Sequence, residues 1–236
     1  MSLAILVFAR MDSRRLPGKA MRDVAGRPLV GRVIDRVRKA MWGGPVILAT
    51  SDRPIDEPLV AFARAEGIAA FRGDAHDVAG RALACCDALG LEACVRISGD
   101  SPYLPPELID SAAEIYRARG VDLVTNVFPR TYPPGASVEI VTRAALARAH
   151  PHMTADDREN VTTIFYRDAR DWRIANLSAE DDRYAGVRLT VDTPDEMTRA
   201  VAIAHRLGAA PEVASLDTVV AACRSVMSTE AGSTQR

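Results

Sequence analysis

Aromatic residues are scarce in this chain, 5% of 236 positions. That scarcity removes the stacking platform on which single-stranded nucleic acid is held. Net charge is scarce too: thirty basic residues against thirty-one acidic ones leave −1, so no global field draws the chain to nucleic acid or to an anionic membrane. No apolar run reaches spanning length. The N-terminal one, Leu3 to Ala9, is of strand length with no cationic stretch before it, which argues against both a signal segment and a membrane span. The cysteines (Cys85, Cys86, Cys94 and Cys223) form no C-x-x-C pair. They read as small core residues of a reducing compartment, the cytoplasm, rather than as metal or redox groups. Neither G-x-x-x-x-G-K-[ST] nor G-x-G-x-x-G occurs, so any phosphate must be held without a glycine cradle.

What is present is ordinary in bulk and specific in detail. A hydrophobic share of 48% and a charged share of 26% suit a soluble globular chain with a sizeable core. Strand-like runs at 3–9, 45–50, 68–71, 92–97 and 121–125 alternate with helix-like segments near 28–41, 55–66, 77–90 and 105–119. That alternation predicts βαβ units and a mainly parallel sheet. After about Asn126 the pattern changes: 137–142 and 172–177 read as half-exposed strands and 187–191 (VRLTV) as a buried one. Helices are expected over 194–207 and 215–227. Residues 1–227 read as one domain, 228–236 as a frayed polar tail, and 129–135 (PRTYPPG) as a loop and candidate lid.

The first apolar run ends in ARMDSRRLPGK, which places Arg10, Arg14, Arg15 and Lys19 within ten positions of one another. Cations packed so closely repel unless an anion offsets them, and the end of a buried strand is where an α/β sheet holds phosphates. The alternative is a solvated basic turn. Asp100, closing VRISGDSP, stands at a strand end that faces such a crevice; it could equally be a turn residue. Asp192, in RLTVDTPDE, follows an apolar run and could instead cap a helix. Together the two carboxylates and the basic loop suit Mg²⁺ bridging the phosphates of a nucleoside triphosphate.

Other candidates carry less information. Ser51 and Asp52 follow PVILAT, where they could touch a ribose or base or merely start the next helix. Arg81 lies on a helix-like segment, where a surface position is the default. Arg96 lies in an otherwise buried strand, where an unpaired surface role is disfavoured. Glu139, in SVEIV, faces either the sugar or the solvent. His150 and His152 have no further ligands at zinc-site spacing and read as loop residues.

Taken in order, ARMDSRRLPGK, ILATSD, FRGDAHDVAGR, VRISGDSP, SVEI, RENVT and LTVDTPDE resemble the cytidylyltransferase-like family of the spore-coat polysaccharide biosynthesis protein F type. They are more distantly similar to the 3-deoxy-manno-octulosonate and acylneuraminate cytidylyltransferases. The resemblance covers roughly residues 3–207. It implies a three-layer α/β/α sandwich of the nucleotide-diphospho-sugar transferase type, with a mainly parallel mixed sheet. It also implies transfer of CMP from CTP to a sugar, in which Arg10, Ser13, Arg15 and Lys19 match the phosphate-holding loop and Asp100 and Asp192 the Mg²⁺ carboxylates. Arg81, Arg96, Ser51 and Asp52 are the further nucleotide candidates, Glu139 and Asn160 the acceptor candidates. The chain departs from the family pattern at Asp12 (usually Gly), Arg14 (usually Thr or Ser), Ser137 (usually Asp), Asn160 (usually His) and Ser101 (often Cys). A glycosyltransferase of the same fold and a non-catalytic nucleotide-binding protein stay open as alternatives. An apolar, partly extended segment around 126–142 could pair across a homodimer; no nucleic-acid or membrane partner is expected.

Overall fold

In the computed structural model, which describes residues 2–234, the strands are β1 (Leu3–Phe8), β2 (Val46–Ser51), β3 (Ala69–Gly73), β4 (Ala93–Ser98), β5 (Leu123–Thr125), β6 (Glu139–Thr142) and β7 (Ile174–Asn176). They form one sheet in the order β3-β2-β1-β4-β6-β5-β7. Every pairing is parallel except the two that β6 makes, with β4 and β5. The alternation of strand and helix therefore delivers the mainly parallel mixed sheet that it predicts.

Period-two burial explains why β1 is apolar throughout. Its Leu3, Ile5 and Val7 enter one core, while Ala4 and Leu6 enter the other. On the first side lie α1 (Leu29–Val37), α2 (Glu57–Ala65), α4 (Pro106–Arg119), α8 (Pro194–Leu207) and α9 (Leu216–Thr234). On the second lie α3 (Val78–Leu89), α5 (Arg143–Ala149), α6 (Ala155–Asn160) and α7 (Thr163–Arg167). Two helical layers thus sandwich the sheet. Cys85, Cys86 and Cys94 pack in the second core and Cys223 in the first, all as free thiols. Among the described residues no helix is long and apolar enough to cross a membrane.

Three expectations need correction. VRLTV (187–191) is not a strand: the amides of Leu189 and Val191 donate to the carbonyls of Pro134 and Asp100, at 2.7 and 2.9 Å, rather than to a ladder. The alternating burial of Val187, Leu189 and Val191 looks like a strand but serves a strap across loops. The last helix continues to Thr234, so 228–234 extend it; positions 235 and 236 lie outside the described residues. Loop 129–135 packs on that strap instead of covering a cavity.

Glu159 and Asn160 both ride on α6, a short helix held firmly at each side. Thr154 and Asp157 cap its start reciprocally, and Asp157, buried, also binds Thr163 (3.0 Å) and Arg167. At its far side Arg158 and His150 both reach Asp77, which itself caps α3 through the Gly80 amide at 2.7 Å. The Arg167 hydrogen bond holds the Asp157 carboxyl well below the usual carboxylate range, outweighing the opposite pull of burial. A carboxyl whose folded pKa is depressed stabilises above its unfolded value of about 4 and loses that contribution as pH falls below it. Asp157→Asn should therefore lower stability at pH 7 and flatten the acid limb of a stability–pH curve measured by urea unfolding. An unchanged acid limb would mean that this cluster contributes nothing to folding.

Candidate active site

A cavity of about 570 Å³ opens at the C-terminal ends of β1 and β4, within the size range of small-molecule sites. The chain leaves β1 at Phe8 and turns at once. The Met11 carbonyl receives the Gly18 amide at 2.8 Å, and Gly18 takes φ +72°, a left-handed conformation that starts the short 3-10 turn Lys19–Met21. Leu16, 2% exposed, plugs the loop into the core while Arg14 and Arg15 stay exposed. Gly99 is required for a different reason. A Cβ there would lie 2.7 Å from the Phe8 carbonyl, so only glycine lets the ends of β1 and β4 approach beside Asp100.

Lys19 ties the two predicted carboxylates together. Its Nζ donates to Asp100 Oδ2 at 2.8 Å, to Asp192 Oδ1 at 2.8 Å and to the Val191 carbonyl at 2.9 Å. Burial pulls the ammonium's pKa down, but the charges and hydrogen bonds of Asp100 and Asp192 outweigh it and leave it raised. Burial likewise pushes the Asp192 carboxyl up. Lys19, Arg15 and Arg188 more than offset that push and hold it below the ordinary range. Asp192 Oδ2 meets Arg15 and Arg188 at 3.0 Å each, and Arg188 is in turn held by Glu196 at 2.8 Å. Glu196 also accepts the amides of Asp192 and Thr193 as part of the α8 capping box. Capping, the alternative role for Asp192, therefore belongs to Thr193 and Glu196, and Asp192 is left to face the cavity.

The other wall is built around arginines. Arg10 donates to the Ala75 carbonyl and to Glu159 at 3.0 Å, and lies 3.5 Å from Asp12. Arg81 is buried, not on the surface: it donates to the carbonyls of Asp74 and, at 3.4 Å, of Ala49 and Ala75. Among the described residues no carboxylate forms an ion pair with it. Burial first, then the charge of Arg10, brings its pKa down to about 10. It thus brings positive charge to the cavity wall, offset in part by the nearby Asp56 and Asp74 carboxylates, and a ligand anion would offset it further.

Arg96 projects from β4 into the cavity and donates from Nη1 to Glu139 at 2.7 Å, across the β4–β6 register. Its buried Nε has no hydrogen-bond partner among the described residues. Glu139 faces neither sugar nor solvent, because it is 2% exposed and occupied by Arg96, Thr162 (2.7 Å) and Tyr166. The turn that presents Thr162 is strained. Thr162 N donates to the Asn160 carbonyl at 2.7 Å around Val161, whose φ of +66° a β-branched residue rarely adopts.

Of the sequence candidates, Arg10, Ser13, Arg15, Lys19, Arg81, Arg96, Asp100, Asn160 and Asp192 line this one cavity. Ser51, Asp52 and Glu139 do not. Ser51 is fully buried and donates to Asp56, and Asp52 points into solvent. Asp56 is the residue the sequence concealed. Completely buried, it accepts the Met11 amide at 2.7 Å and so pins the basic loop from behind. Arg53 extends the same anchor to Asp12 at 2.6 Å. Asp56 sits inside a helix-start pattern where an acid signals capping, so nothing in its context marks it. Arg188, on the strap, gives no signal either.

Among the described residues no group of three or more His, Cys, Asp or Glu is placed to hold a metal ion. The donor set nevertheless fits Mg²⁺, which takes one or two carboxylates and completes its shell with water and substrate phosphates. The ammonium already gathered between Asp100 and Asp192 is direct testimony that a cation is favoured there.

Comparison with known proteins gives a consistent picture. A family model described as Cytidylyltransferase matches residues 4–207. The spore coat polysaccharide biosynthesis protein SpsF of Bacillus subtilis is 27% identical over 224 residues, spanning 92% of each chain. A 3-deoxy-manno-octulosonate cytidylyltransferase of Idiomarina loihiensis is 32% identical over 186 residues, 70% of this chain and 72% of that one. Among solved structures, a cytidylyltransferase from Leptospira borgpetersenii superposes with a TM-score of 0.88 at 24% identity, over 98% of this chain and 96% of the other. That likeness concerns the fold.

Proposed function

Since the chain belongs to the cytidylyltransferase family, we propose that it transfers CMP from CTP to a sugar, of the acidic or nonulosonate type, for a surface polysaccharide. The observation that carries this reading is the convergence of the basic loop, Asp100 and Asp192 on one cavity. The reaction is attack of a sugar hydroxyl oxygen on the α-phosphorus, with the bond to the bridging oxygen breaking and pyrophosphate leaving. Little covalent help is needed; alignment and charge neutralisation supply the acceleration.

On this reading Arg10, Ser13, Arg15 and Lys19 grip the triphosphate, and Arg81 supports it from the cavity wall. Arg96 is a further nucleotide contact and Asn160 an acceptor contact on the same cavity, with Glu139 acting through Arg96 rather than on the sugar. Asp100 and Asp192 are the residues that would hold Mg²⁺, which when bound supplies charge neutralisation at the phosphate oxygens. A cytoplasmic location follows from the need for CTP and suits the four free thiols. A homodimer belongs to the same reading; β6 is paired on both sides within the sheet, so of 126–142 it is the part around Phe128, 41% exposed, that is available for such a contact.

The test is a nucleotide comparison. CTP with Mg²⁺ should raise the melting temperature more than ATP, GTP or UTP, and pyrophosphate should be released with a suitable acidic sugar. No nucleotide-dependent shift would end the proposal. A CTP shift without turnover across a broad panel of acidic and amino sugars would instead favour a non-catalytic nucleotide-binding protein.

A further inference from the structure

Asp100 and Asp192 divide their oxygens in the same way. Asp100 gives Oδ1 to the hydroxyls of Ser98 and Ser101, at 2.7 and 3.3 Å, and Oδ2 to Lys19. Asp192 gives Oδ2 to Arg15 and Arg188 and Oδ1 to Lys19. Each carboxylate is thus fixed by one oxygen while the other is aimed at a single shared point. The Lys19 ammonium sits at that point, 2.8 Å from both, with its third proton on the Val191 carbonyl at 2.9 Å. All three of its donors are spent, so in this state Lys19 has none left for a phosphate.

The two roles that the basic loop and the acid pair suggest therefore exclude each other here. A divalent cation reaching both carboxylates needs the place the ammonium holds, and Lys19 can grip a polyphosphate only by leaving it. We propose that Lys19 is an exchangeable stand-in for the divalent cation: it keeps the Asp100–Asp192 pair closed to metal until a polyphosphate draws the ammonium onto its own oxygens. Metal and polyphosphate then enter as a coupled pair, each raising the affinity of the other by the same factor. The charges suit such an exchange. The ammonium brings one positive charge to the shared point, beside the Arg15 and Arg188 guanidiniums that already hold Asp192 Oδ2; a divalent cation brings two there, and the released ammonium meets the triphosphate that arrives with the metal. The exchange rests on the cytidylyltransferase reading only in taking Asp100 and Asp192 as metal-holding residues.

The experiment uses the full-length, nucleotide-free protein and Mn²⁺ alone, with free Mn²⁺ followed by electron paramagnetic resonance. Wild type should bind Mn²⁺ weakly. Lys19→Met and Lys19→Gln, which empty the point shared by the two carboxylates, should bind it about tenfold tighter or more, within the usual span of such couplings. Lys19→Met combined with Asp192→Asn should lose that gain. Loss of the ammonium leaves Asp192 to Arg15 and Arg188 and takes from Asp100 its ion pair with Lys19, which could unsettle the fold, so melting temperature is read in parallel: Mn²⁺ should restore more stability to Lys19→Met than to wild type. Equal Mn²⁺ affinity and equal thermal response in wild type and both Lys19 variants would overturn the exchange, as would a gain that survives in the double variant. Pyrophosphate release by wild type is scored separately. Turnover with no gain in Mn²⁺ affinity removes the exchange alone, whereas a gain with no turnover removes the cytidylyltransferase reading alone.

Discussion

Asp100→Asn is expected to slow CTP-dependent pyrophosphate release by about 10²–10³-fold, the usual scale for removing one group that stabilises transition-state charge, while the chain stays folded. The substitution is nearly isosteric, and an amide oxygen can still accept the Ser98 and Ser101 hydroxyls that fix the carboxylate now. What disappears is the negative charge facing Lys19 and the shared cation point. Binding and chemistry should therefore fail together at this position, with circular dichroism unchanged and metal affinity reduced in the presence of CTP. Turnover within a fewfold of wild type would exclude Asp100 from the reacting centre. The neighbouring change Ser98→Ala should act in the same direction but more weakly, because it releases one oxygen of Asp100 without discharging it.

Arg36→Met is expected to produce the largest loss of stability, about 3 kcal/mol, since hydrogen bonds from a charged donor contribute about 1.5–3 kcal/mol each and part of that is returned by no longer burying the charge. Arg36 is 1% exposed, and its guanidinium donates to the carbonyls of Leu104, Pro211 and Ala214 at 2.6, 2.6 and 2.8 Å. Those carbonyls belong to the loop after Asp100 and to the segment between α8 and α9, so one side chain of α1 clasps two other stretches of chain. Burial depresses its pKa against the opposite pull of the Glu107 and Glu212 charges, and among the described residues no carboxylate forms an ion pair with it. Methionine fills the volume and takes the guanidinium donor from all three carbonyls, of which Pro211 keeps the Ala214 amide at 3.4 Å. For a chain of this length the melting temperature should fall by about 6–12 °C. Lysine should rescue little, because an ammonium cannot reproduce the planar fork that reaches all three. A loss below about 1 kcal/mol in urea unfolding would show that water replaces the guanidinium readily. The consequence for function is local: a loosened Ser101–Leu104 turn would blur the placement of Asp100.

Particular residues show how far the sequence can be read. The position of the basic loop at the end of β1, and of Asp100 just beyond β4, follows from apolar runs of strand length that stop abruptly. Burial on both faces demands continuous apolarity, and the first polar residue marks where the strand leaves the core. The same reasoning misjudges VRLTV, because alternation reports which side is buried and not which backbone groups pair. It misplaces Ser51 as well. A hydroxyl at a strand end can face a ligand or turn back to a neighbouring acid, and the choice depends on Asp56 lying beneath the loop. Arg81 reads as a surface residue because arginine is rarely buried; the carbonyls of Asp74 and Ala75 that satisfy it come from a turn no periodicity describes.

The sequence by itself determined the layered α/β fold, the cationic loop, the two candidate carboxylates and the family to which the chain belongs. These rest on local pattern and on residue order, which a linear string carries in full. Tertiary structure alone decided how those groups meet. Lys19 finds its partners 81 and 173 positions away, Glu139 turns inward to hold Arg96, and Asp56 pins the loop from behind. Such contacts depend on sheet order and on how closely strand ends approach, as Gly99 permits between β1 and β4. An ammonium between two carboxylates is favoured by Coulomb attraction over a few ångströms, and only the folded chain fixes that distance.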